Sequence, residues 1–138
     1  MPKSSPLSLR LPAELLTEIR KEAKRSARPA SQVIQTTLEE GIRMRRCPGV
    51  IFTNGPAGRR ATVAGTGIDV WEVVRVSKSV GGSFEATARA LPQLSRPQID
   101  SALHYYRVYT QEIDERLDSE EDAYDALPSQ PFIRRFGV

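Results

Sequence analysis

The chain has 138 residues, 39% hydrophobic and 27% charged, with a formal net charge of +3, a globular balance with room for one ordinary domain or two small ones. A single cysteine, Cys47, and a single histidine, His104, exclude an internal disulfide and a four-ligand zinc site. No apolar run approaches the ~20 residues of a membrane span and the N-terminus lacks the apolar core of a secretory signal, so the expected location is cytoplasmic.

Taken in chain order, Pro6-Leu7-Ser8-Leu9-Arg10-Leu11-Pro12 alternates apolar and polar residues. The period of two predicts a strand with Leu7, Leu9 and Leu11 on one face and Ser8 and Arg10 on the other. A strand of about six residues cannot hold itself in water, and its open edge invites the same strand of a second chain. Two copies paired antiparallel would make a two-stranded ribbon, a shape that fits the DNA major groove.

Pro12 then opens a helix expected to run to about Ala27, with Leu15, Leu16, Ile19 and Ala23 at helical spacing. Arg28-Pro29 breaks it, and a second helix carrying Val33, Ile34, Leu38 and Ile42 runs to about Arg46. Gly41 inside that helix costs ~1 kcal/mol relative to alanine, which marks either a close backbone approach or a tolerated weak spot. Residues 1–46 hold ten Lys or Arg against five acids, a front that suits a polyanion.

Cys47-Pro48-Gly49 ends this module. Val50–Thr53 and Ala61–Val63 flank the turn-rich Asn54–Gly58, which predicts a β-hairpin. Asp69-Val70-Trp71-Glu72 and Ser95-Arg96-Pro97-Gln98 both have the form of a capping box, and Ser83 can cap a short helix between them. The helix after Ser95 is expected to bury a stripe of Ile99, Leu103, Tyr106 and Ile113. From Asp118 to Asp125 the chain is acidic, and residues 112–138 hold eight acids against three bases. The expected division is therefore 1–46, 47–117 and an acidic linker and tail over 118–138.

Residues 6–46 resemble the ribbon-helix-helix (MetJ/Arc-like) family of prokaryotic repressors and antitoxins, in the order Leu-Ser-Leu-Arg-Leu-Pro, amphipathic helix, turn Ser26–Ala30 and Ser31-Gln32-Val33-Ile34. The resemblance implies that the outward strand residues, here Pro6, Ser8 and Arg10, read base edges, and that backbone N–H groups opening the second helix clamp a phosphate. Arginine can pair bidentately with guanine, and a helix N-terminus is a ready anion site. Pro6 has no side-chain donor and Pro29 no N–H, so readout falls to Ser8 and Arg10 and the clamp to Ala30 and Ser31, with Lys3 and Arg28 as phosphate contacts.

Residues 48–113 resemble a family of small domains of unknown function found in toxin-antitoxin operons. The likeness is carried by Val63-Ala64-Gly65-Thr66-Gly67-Ile68-Asp69-Val70-Trp71, Gly82-Ser83-Phe84-Glu85-Ala86 and Leu91-Pro92-Gln93-Leu94-Ser95. That family usually has arginine where Gly67 stands and proline where Asp69 stands. Together the two halves resemble VapB-like antitoxins, whose partners are PIN-like ribonucleases.

The fold expected is thus mainly α: an N-terminal ribbon-helix-helix forming an intertwined dimer, a small β-hairpin/helix-turn-helix-like α-helical domain, and an extended C-terminal tail. The resemblance implies a type II antitoxin that is a homodimer or higher oligomer, binds double-stranded operator DNA to repress its own operon, and neutralises a PIN-like toxin. Phe132, Ile133, Arg134, Arg135 and Phe136 are the expected toxin-binding residues, with arginine pairing carboxylates and the apolar side chains anchoring. No nucleophile, base and orienting group assemble into a catalytic site, and no cofactor or metal is expected. The alternative is a stand-alone ribbon-helix-helix regulator whose second domain senses a ligand or oligomerises.

Overall fold

The computed structural model describes residues 4–56 and 58–127. The chain is mainly helical, with one small antiparallel sheet, and divides into two compact units, Met1–Arg43 and Met44–Val138. The division falls within a helix, three residues before the boundary expected from the sequence.

In the N-terminal unit the strand expected from the alternation of Pro6–Leu11 is not formed: residues 4–12 belong to no helix or strand in the single chain, where a lone short strand has no edge to pair with. Pro12 then starts α1 (Ala13–Ser26), its carbonyl accepting from Leu16 N at 3.0 Å. Glu14 in the first turn and Lys24 and Arg25 in the last complement the helix dipole. The helix ends on Ala27 at φ 55°, a left-handed cap secured by Arg28 N donating to Ala23 O at 3.0 Å. Helix α2 (Ala30–Arg46) begins three residues later.

This unit buries very little by itself. No side chain of α1 is buried, and in α2 only Val33 is. Leu7, Leu9, Leu15, Leu38 and Ile42 stand exposed, Leu7 at 83%. Gly41 has open space where a Cβ would sit, so among the described residues no neighbouring element meets that face of the helix.

The C-terminal unit has a core of its own. Cys47-Pro48-Gly49 turns the chain into β1 (Val50–Gly55), which pairs antiparallel with β2 (Gly58–Val63) in the register Val50 opposite Val63. Asp69 caps α3 (Val70–Ser79) in the expected capping box with Glu72. Ser83 caps α4 (Phe84–Ala90), its hydroxyl accepting from Ala86 N, and Ser95 with Gln98 boxes the start of α5 (Arg96–Val108). Val63, Val70, Val73, Ile99, Ala102 and Tyr105 are all fully enclosed, joined by Cys47, Leu91, Leu94 and Ile113.

Gly49 sits at φ 92°, and a Cβ there would come within 2.5 Å of Ser101 Oγ. Gly49→Ala is therefore expected to cost about 2–4 kcal/mol, combining left-handed strain with overpacking. Chemical denaturation would show it as a lower midpoint at unchanged slope.

The helix after Ser95 departs from expectation. It breaks at Tyr109 (φ −121°, ψ 49°), and a separate α6 (Thr110–Asp125) carries Ile113. Thr110 Oγ1 donates to Tyr106 O at 2.7 Å, a side-chain bond that competes with continuation of the helix. The buried set on α5 is Ile99, Ala102 and Tyr105, with Leu103 and Tyr106 only half-buried. The acidic stretch expected as a linker is the second half of α6, anchored by buried Ile113 and an Arg116–Glu120 ion pair of 2.8 Å at helical spacing.

Candidate nucleic-acid interface

Ser8 and Arg10 alternate with Leu7, Leu9 and Leu11 on the segment before α1, and Pro6, Ser8 and Arg10 are exposed. Arg28, Ala30 and Ser31 gather at the α1–α2 turn, Arg28 and Ser31 exposed and Ala30 half-buried. Gln32 N and Val33 N both donate to Pro29 O at 3.1 Å. Ala30 and Ser31 thus hold the first-turn positions whose N–H groups a helix leaves without an internal acceptor. Lys3 and the segment Phe132, Ile133, Arg134, Arg135 and Phe136 lie outside the described residues.

The C-terminal unit contains a polar cluster that sequence reasoning missed. Trp71 donates from Nε1 to Asp69 Oδ2 at 2.9 Å. Asp69 is 3% exposed, and its Oδ1 lies 3.1 Å from Arg60 Nη1, an ion pair without hydrogen-bond alignment. Arg75 and Arg116 stack on the indole at 5.0 and 5.6 Å. These contacts tie β2, α3 and α6 together around one tryptophan, with the Arg116 guanidinium also pairing Glu120. The only advance signal is the placement of Trp71 two residues after the capping Asp69.

His104 is a hydrogen-bonding histidine: Nε2 lies 3.3 Å from Arg46 O at the end of α2. Among the described residues no three His, Cys, Asp or Glu side chains gather as a metal set, and no helix is long and apolar enough to cross a membrane.

Residues 50–106 match the family model described as Protein of unknown function (DUF433). The DUF433 match begins with β1 and ends inside α5, so it covers the hairpin, α3, α4 and the Asp69–Trp71 cluster but neither the N-terminal unit nor α6. No curated protein and no solved structure matches the chain.

Lys78, Tyr106 and Asp114 clasp α3 to α5 and α6. Tyr106 OH and Lys78 Nζ donate to Asp114 Oδ1 at 2.6 and 3.3 Å. The Tyr106 hydroxyl, and then Lys78, hold the Asp114 carboxyl below its ordinary value of 3.8, while Tyr106 and Asp114 hold Lys78 above 10.5. A depressed carboxylate contributes stability above its unfolded pKa and loses it as pH falls through the folded one. The melting-temperature gap between wild type and Asp114→Asn should therefore persist at neutral pH and close below about pH 3.9. A gap that stays constant through acid would deny the clasp its charge.

Proposed function

We propose that the protein is an antitoxin of a type II toxin-antitoxin system. In this reading its N-terminal unit forms a ribbon-helix-helix homodimer that binds operator DNA and represses its own operon, and it neutralises a PIN-like ribonuclease. The observation that carries the reading is the uncovered apolar surface of the N-terminal unit. Fully burying each leucine contributes about 1.5–3 kcal/mol, and Leu7, Leu9, Leu15 and Leu38 all stand in water in the single chain. A second copy can cover them, because the alternating Leu7–Leu11 segment, in no strand in the single chain, can form one with an apolar face and an edge to pair.

Pairing puts Ser8 and Arg10 of both copies on the opposite, outward face. Arg10 is then the readout residue, since its guanidinium can engage guanine O6 and N7 together. Ala30 and Ser31 at the start of α2 supply N–H groups to a phosphate, aided by the positive end of the helix dipole. This division of labour agrees with the net charge of 1–46, where bases outnumber acids two to one. The DUF433 region and the chain beyond it are left for the toxin, with Arg134 and Arg135 as carboxylate partners.

The test uses a duplex carrying the promoter region of the protein's own gene beside a random duplex of equal length. Arg10→Ala should lower affinity for the promoter duplex by roughly tenfold to a hundredfold and leave random-duplex binding nearly unchanged, given ~1–3 kcal/mol for a bidentate base contact. Equal loss on both duplexes would make Arg10 a phosphate contact and refute its assignment. Co-expression with the adjacent open reading frame tests the toxin arm, which predicts rescue from growth arrest.

A further inference from the structure

The C-terminal unit carries a basic and an acidic surface at opposite ends of one helix. At the basic end, Arg45 and Arg46 close α2 and His104 contacts the Arg46 carbonyl, with Arg107 one turn further along α5. The Arg46 guanidinium stacks on Tyr109 at 5.4 Å and donates to its hydroxyl at 3.4 Å, while Arg45 and Arg107 project into solvent. None of these three guanidiniums meets a carboxylate among the described residues.

At the acidic end, residues 118–125 of α6 hold five acids and no base. Asp118, Glu121, Asp122 and Asp125 are exposed, and Tyr124 beside them is 62% exposed. Acids three and four apart repel along a helix, and acids in a last turn oppose the dipole, so this half of α6 stands against its own electrostatics. A cationic surface laid on it relieves both penalties.

We propose that a second copy supplies that surface: the acidic end of α6 from one copy docks on the Arg45–Arg46–Arg107 patch of another. The same chain cannot close the contact. Helix α6 leaves from Tyr109, which already touches Arg46, and at 1.5 Å per residue Asp118 and Asp125 lie about 14 and 24 Å further along. Tyr124 adds a ring for an incoming guanidinium. The contact is head to tail, so it links dimers into larger assemblies instead of closing a pair.

Sedimentation equilibrium of the full chain tests this. Wild type should exceed a dimer at about 0.1 M salt and fall to a dimer at about 1 M, where screening shrinks to about 3 Å. Arg45→Glu/Arg107→Glu and Asp122→Arg/Asp125→Arg should each remain dimers at low salt, and their mixture should re-form the larger species, since each reversed surface then meets its complement. A wild type that stays dimeric at low salt, or large species indifferent to both reversals, would overturn the contact while leaving the ribbon dimer intact. A monomer at every salt concentration would overturn the ribbon dimer and, with it, the assembly. Should Arg45→Glu/Arg107→Glu leave the assembly unchanged but weaken DNA binding, the patch is a nucleic-acid site and the inference fails.

Discussion

If the proposed ribbon dimer forms, Leu9→Asp is expected to turn it into a monomer and to abolish the proposed selective DNA binding with it. Leu9 is 62% exposed in the single chain, and pairing the strand with a second copy removes it from water. Each copy loses about 1.5–3 kcal/mol of burial, so the dimer loses about 3–6 kcal/mol, a hundredfold to ten-thousandfold weaker association. The penalty grows further because two carboxylates would face each other across the ribbon without cations. Ser8→Asp is the matched control, one residue away and on the other face. It should keep the dimer and lose DNA through charge repulsion alone. Sedimentation and filter binding on the two variants read out strand parity directly, and equal behaviour of both would refute it.

Tyr105→Ala is expected to be the most damaging change in the C-terminal unit. The ring is fully buried, edge-on to Phe52 at 6.4 Å and against Tyr109 at 4.9 Å, and its hydroxyl donates to Glu112 Oε2. Removing a large buried aromatic costs about 3–5 kcal/mol, a large share of the ~5–15 kcal/mol that holds a domain of this size. The melting temperature should fall by more than about 12 °C. Tyr105→Phe keeps the ring and loses only the hydroxyl bond, so it should cost about 1–2 kcal/mol. If Phe proved as harmful as Ala, the hydroxyl and not the ring would hold α5 to α6.

How local the physics is decides which features the sequence discloses. The capping boxes at Asp69/Glu72 and Ser95/Gln98 are legible because both partners lie within one turn, and the hairpin because its glycines fix the reversal. The break at Tyr109 is not, since Ile113 continues the apolar spacing and only the Thr110 hydroxyl bond betrays the interruption. The α5 stripe shifts by one residue for a related reason: Ala102 and Tyr105 are buried in place of Leu103 and Tyr106, and that choice is tertiary. The Trp71 cluster draws Arg60, Asp69 and Arg116 from three separate elements, a meeting no spacing rule encodes. In the N-terminal unit the alternation of Leu7, Leu9 and Leu11 is plain, yet the single chain forms no strand there, and the proposed consequence, strand pairing, needs a second chain.

A nitroxide at Ser8→Cys, in the full chain with Cys47→Ala to remove the buried thiol, measures that consequence directly. Strands paired across two copies lie about 4.8 Å apart, so the continuous-wave electron paramagnetic resonance spectrum of the frozen protein should show strong dipolar broadening that vanishes on dilution with unlabelled protein. No dipolar coupling between copies would contradict the ribbon, and with it the proposed reading of DNA by Arg10.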